Sequence, residues 1–137
     1  VDDVRAALAE AQLAPEALQL EITETVMVQD TEGTLAVLRA LSALGVRLAI
    51  DDFGTGYSSL SYLERFPVDT LKIDKAFVRG LGGEDEESPL AEAIVRIGRT
   101  LGLRVVAEGV ETAAQAARLA GFGCEHGQGF LFAQPLP

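Results

Sequence analysis

Apolar positions along this chain alternate between a helical and an extended period. Residues 3–12 carry Val4, Leu8 and Ala11 on one helical face, and the Ala14-Pro15 step ends that pattern because a residue before proline is pushed out of the α region. Residues 18–23 then read as a strand. The pair repeats: residues 34–44 place Leu35, Leu38, Leu41 and Leu44 at helical spacing, Gly45 supplies a stop, and residues 47–50 form a short apolar strand. Residues 58–66 suggest a short helix closed by Pro67, residues 70–73 a strand, and residues 80–88 an acidic, Gly-rich loop. Leu90, Ile94, Ile97 and Leu101 mark one face of a helix over 89–101, Gly102 breaks it, and residues 103–107 read as a buried strand. A helix over 112–120 follows. Gly121 and Gly123 interrupt it, and residues 129–132 are expected to form the last strand before Pro135 and Pro137.

Short apolar strands alternating with amphipathic helices imply parallel strands joined by right-handed crossovers, either a doubly wound open sheet or a (β/α) barrel. Periodicity does not separate the two. A closed barrel needs eight strands and typically about 250 residues, so five units over residues 1–137 make an incomplete barrel with two exposed edges. No composition break divides the chain, and a single domain portion is expected.

The 48% apolar content argues against disorder, and a formal net charge of −10 with scattered basic residues argues against binding nucleic-acid polymers. Cys124 is the only cysteine, so no intrachain disulfide forms, in keeping with a cytoplasmic setting. No apolar run approaches the roughly 20 residues that span a bilayer, and the opening Val1-Asp2-Asp3 is acidic, without an initiator Met. We expect a soluble segment of something longer, with no membrane contact of its own.

Four expected strands run into acids at their ends: Leu20 into Glu21, Ile50 into Asp51-Asp52, Ile73 into Asp74, and Ala107 into Glu108. One such acid is ordinarily a turn residue or a helix cap. Several together are different, because the C-terminal strand ends of a (β/α) barrel form its active face, where separated carboxylates converge. Asp51-Asp52, followed by Phe53-Gly54-Thr55-Gly56, sets like charges side by side, and a divalent cation compensates them naturally. Two such ions roughly 4 Å apart activate water and stabilise displacement at phosphorus. Gly54-Thr55-Gly56 alone is a weak phosphate-loop signal, with no Walker pattern around it. Lys72 lies two residues before Asp74 and shares its face, inward among carboxylates or outward toward the helices. An inward lysine stays charged and meets a phosphate or a metal-bound water.

Leu20-Glu21-Ile22-Thr23-Glu24, Asp51 through Leu60, Leu71-Lys72-Ile73-Asp74, Val106 through Thr112 and Gln128-Gly129-Phe130, in this order and spacing, resemble EAL domains over nearly the whole chain. The resemblance implies a TIM-like barrel that hydrolyses cyclic di-GMP to linear pGpG with two Mg²⁺ or Mn²⁺ ions. Carried over by position, Glu21 resembles a ligand of the first metal, Asp51 the bridging ligand, and Asp52 a ligand of the second. Lys72 resembles the lysine that contacts the nucleophilic water or the phosphate. Glu108 matches a glutamate holding the second metal and its water, Glu111 a supporting carboxylate, and Gln128 a residue orienting the water network. Glu24 resembles the anchor of the loop from Asp52 to Ser59, whose Phe53, Gly54, Thr55 and Gly56 border substrate and which lies beside the family's usual dimer contact.

The literal Glu16-Ala17-Leu18 is not the family signature, whose glutamate sits on a much earlier strand. That glutamate and the family's metal-binding asparagine have no counterpart here. The resemblance therefore implies that this chain alone turns over little, and that it associates with another copy or with its absent half through exposed edges. Two other readings compete: a non-catalytic cyclic-di-GMP receptor or interaction domain, and an unrelated enolase-like barrel using a lysine base. Residues 84–87 read as a solvated loop, and Cys124 with His126 as structural rather than a metal pair.

Overall fold

The computed structural model describes residues 1–29, 31–55, 63–82 and 89–134. In chain order its elements are α1 (Asp2–Ala11), a 3₁₀ turn (Pro15–Ala17), β1 (Gln19–Thr23), α2 (Glu24–Gln29), α3 (Thr31–Leu44), β2 (Arg47–Phe53), β3 (Thr70–Ile73), α4 (Lys75–Arg79), α5 (Pro89–Thr100), β4 (Arg104–Ala107), α6 (Ala113–Phe122) and β5 (His126–Gly127). The expected helix over 58–66 falls largely outside the described residues, as does most of the acidic loop over 80–88, including residues 84–87.

The five strands form one parallel sheet in the order β1-β2-β3-β4-β5. Spatial order follows chain order without a reversal, so the sheet has no switch point of the kind a doubly wound fold requires. One face supplies Leu48 and Ile50 of β2, Leu71 and Ile73 of β3, and Val105 and Ala107 of β4, all buried. Against it pack Leu35, Leu38 and Leu41 of α3, Val78 of α4, Ile94 and Val95 of α5, and Leu119 of α6, in one continuous core. Each aliphatic side chain buried this completely contributes about 1.5–3 kcal/mol. Helices confined to one face are the arrangement of a (β/α) barrel wall. The opposite face is left for polar chemistry.

Local signals set the element ends. Thr112 accepts a hydrogen bond from Gln115 N while Gln115 Oε1 accepts from Thr112 N, a reciprocal cap that starts α6. Asp74 caps α4, accepting from Ala76 N at 2.7 Å. α5 approaches β4 closely at Gly98, where an added Cβ would collide with Val105 Cγ2.

Three expectations are corrected. The last strand is His126–Gly127, paired to Val106 and Ala107, and residues 129–132 turn instead, with Phe132 N donating to Gly129 O at 3.0 Å. Phe130 and Phe132 stay exposed, so apolar composition there does not report a buried strand. Gly121 lies within α6, and Gly123, in the left-handed region, ends it. β2 runs on to Phe53, which puts Asp51 and Asp52 inside the strand rather than beyond it.

Candidate functional site

Adjacent residues of a regular strand point to opposite faces, so Asp51 and Asp52 would ordinarily be separated by the sheet. A register shift prevents this. Ile50 pairs with Leu71 and Phe53 with Ile73, so three steps along β2 match two along β3 and one extra residue bulges out. Asp52 takes the left-handed conformation, φ 54°, a region aspartate tolerates better than most residues. Asp51, Asp52 and Glu108 consequently bring one carboxylate oxygen each within 4.8 Å of one another.

Lys72 points inward to the same face. Its Nζ lies 2.7 Å from Glu21 Oε2, 3.0 Å from Asp51 Oδ1 and 2.7 Å from Glu108 Oε1, with only 8% of the side chain exposed. Burial by itself would lower the lysine pKa, but the carboxylates of Glu108, Glu21 and Asp51 outweigh it and raise it, so the ammonium stays charged. Asp52 moves oppositely to an ordinary acid in a salt bridge. Loss of hydration, a side-chain hydrogen bond with Asp74, and the charges of Asp51, Asp74 and Glu108 all raise its pKa.

Glu24, buried at the start of α2, accepts a hydrogen bond from Gly54 N at 3.0 Å and so ties α2 to the end of β2. Gly54 has φ 97°, and a Cβ there would lie 2.9 Å from Phe77 Cε2 and 3.0 Å from Ile94 Cδ1. Only glycine fits this turn without strain. Phe53 is buried in the core and Thr55 Oγ1 donates to Asp52 O at 2.9 Å. Gly56 lies outside the described residues.

Glu111 and Gln128 stand apart from the carboxylates in what they contact. Both are exposed. The Glu111 N–H donates to Gln115 Oε1, and Gln128 joins the sheet through its backbone, donating to Ala107 O and accepting from Val110 N. The sequence singled out Asp74 only as a strand-end acid, whereas the structure gives it two tasks, capping α4 and facing Asp52. Its position one residue after a strand and two before a helical N–H was the available signal. Cys124 is buried with its thiol donating to His126 O at 3.3 Å, and burial raises its pKa, so it serves packing.

The donor set fits a hard divalent cation. Asp51 Oδ1 is buried and, despite its ion-pair distance to Lys72, accepts no aligned hydrogen bond among the described residues. Carboxylate oxygens from two strands converge beside it, which is the ligand chemistry Mg²⁺, Mn²⁺ and Ca²⁺ share.

The family model for the EAL domain matches residues 1–135. The chain belongs to the EAL domain family. This EAL chain is 50% identical over 137 residues to the bifunctional diguanylate cyclase/cyclic di-GMP phosphodiesterase MucR of Pseudomonas aeruginosa, covering all of the chain and 20% of that protein. It is 48% identical over 137 residues to the cyclic di-GMP phosphodiesterase NbdA of the same organism, covering all of the chain and 18% of that protein. The chain thus spans about a fifth of the length of these relatives. Among solved structures, the PaMucR phosphodiesterase in complex with c-di-GMP superposes with a TM-score of 0.93 at 49% identity, over 99% of this chain and 55% of that one. A manganese/cy-diGMP complex of Klebsiella pneumoniae BlrP1 superposes with a TM-score of 0.83 at 40% identity, over 95% of this chain and 33% of that one. The five-stranded sheet of this EAL chain is therefore an unclosed part of a TIM-like barrel.

Proposed function

We propose that this chain forms the C-terminal part of a metal-dependent phosphodiesterase site that hydrolyses cyclic di-GMP to linear pGpG. The observation that carries the reading is the convergence of Asp51, Asp52 and Glu108 with Lys72 on strand ends, in a chain whose relatives are named for this activity. Asp51, Asp52 and Glu108 would hold the metal, with Asp51 the shared ligand and Glu21 serving a first ion. Bound Mg²⁺ or Mn²⁺ supplies Lewis-acid activation of water and offsets the charge that develops at phosphorus. Lys72, held charged, donates hydrogen bonds to a phosphate oxygen or to the attacking water. Gln128 orients water at the rim, Glu111 supports the acidic wall, and the turn at Gly54 and Thr55, tied to Glu24 through Gly54 N, borders the dinucleotide.

The family's remaining metal ligands are expected on earlier barrel strands, so the chain alone turns over little. Its β1 and β5 edges, unpaired among the described residues, favour association with a second copy. Light scattering across a concentration series checks this, and a monomer throughout argues against it. The function itself is tested by calorimetric titration of cyclic di-GMP with Ca²⁺ present, then product analysis with Mg²⁺ or Mn²⁺. Binding by the chain, with hydrolysis to pGpG by the full-length protein that is lost in Glu108→Gln, supports the reading. Binding without hydrolysis by the full-length protein favours a receptor.

A further inference from the structure

One ammonium joins four strands. From β3, Lys72 reaches Glu21 of β1, Asp51 of β2 and Glu108, the residue after β4, all within 3.0 Å; the ammonium, Asp51 and Glu108 are largely shielded from solvent, whereas Glu21 is exposed. Two of those carboxylates, Asp51 and Glu108, also belong to the triad completed by Asp52. Like charges this close repel strongly when partly buried, and removing the partner of a buried charge ordinarily destabilises far more than losing a surface pair.

We propose that Lys72 is a built-in counter-cation, a positioning residue that keeps Asp51 and Glu108 aimed at Asp52 before metal binds. A divalent ion at the triad then neutralises two of the same three carboxylates. The chain thus has one tethered and one exchangeable counter-cation sharing ligands, and removing the tethered one makes its stability depend on the other. The inference rests on the metal-binding half of the proposed function and is independent of the phosphodiester chemistry.

The test is thermal unfolding of the full chain and its Lys72→Met variant, each in EDTA and in millimolar Mn²⁺. In EDTA the variant should melt lower by about 10 °C or more, the scale expected for stranding buried charge. Mn²⁺ should recover most of that loss, giving the variant a shift at least twice that of the parent chain. Lys72→Arg, which keeps the charge, should melt near the parent in EDTA, and Glu21→Gln added to Lys72→Met should recover a part of the loss without metal, a part only because Glu21 is exposed. An equal loss in EDTA and Mn²⁺, with no rescue by Glu21→Gln, overturns the proposal and leaves Lys72 a packing role. Should Lys72→Met fail to fold in EDTA, recovery on adding Mn²⁺ or Glu21→Gln supports the proposal and failure of both overturns it. Rescue by Glu21→Gln in a chain whose Mn²⁺ spectrum shows no binding upholds the counter-cation and sinks the metal site instead.

Discussion

Asp52 carries the sharpest conflict between stability and chemistry. Its folded pKa is raised above the ordinary 3.8, so the folded chain holds this proton to higher pH than the unfolded chain. Its contribution to stability is therefore complete below that ordinary value and is lost as pH rises through the raised one. At the proposed metal site, binding would need the deprotonated form and gain over the same interval. Asp52→Asn keeps the shape, tolerates the left-handed backbone and cannot ionise. The metal-free variant should melt above the parent at neutral pH, with a flatter pH profile, while Mn²⁺ affinity falls about tenfold or more, since losing even the outer partner of a ligand costs that much; melting curves across pH and Mn²⁺ titration check both. Gly54 is equally constrained. Gly54→Ala meets Phe77 and Ile94 and a disfavoured φ together, and should cost about 2 kcal/mol or more in denaturant unfolding.

Among the elements, the reciprocal Thr112–Gln115 cap holds the start of α6, the helix that follows Glu108. Thr112→Ala should lower stability by about 1 kcal/mol, read from the urea midpoint at unchanged slope. The longer helices were legible because they repeat their pattern: α3 and α5 sit where Leu35 to Leu44 and Leu90 to Leu101 put them, and β3, though short, sits at the expected residues 70–73. α2 and α4 were not, since helices of 6 and 5 residues are too short to display a helical period. β5 was misplaced because its two residues are polar and exposed; the β4 ladder, not side-chain burial, makes it a strand. The acids at Glu21, Asp51, Asp52 and Glu108 could be read from the apolar runs they follow, although only Glu108 lies at a strand end: Glu21 is mid-strand in β1, and Asp51 and Asp52 lie inside β2. The bulge that turns Asp52 onto the face of Asp51 could not, because an extra residue is defined only against the neighbouring strand.

Over the whole molecule, a net charge of −10 raises the free energy of the compact state through self-repulsion. Monovalent salt should therefore raise the melting temperature gradually, whereas millimolar Mn²⁺ should raise it more than NaCl at matched ionic strength, because the ion binds rather than merely screens. Raising both in parallel melting series separates screening from binding. The contacts of Lys72 reach back 51 residues to Glu21 and 21 to Asp51, and forward 36 to Glu108. During synthesis the acids of β1 and β2 emerge first, their counter-charge on β3 next, and the last carboxylate only with β4. A ribosome-bound chain that ends before Glu108 thus carries the lysine and two of its acids but lacks the three-carboxylate pocket, so uptake at the proposed metal site would mark the moment at which the fourth strand has joined the sheet.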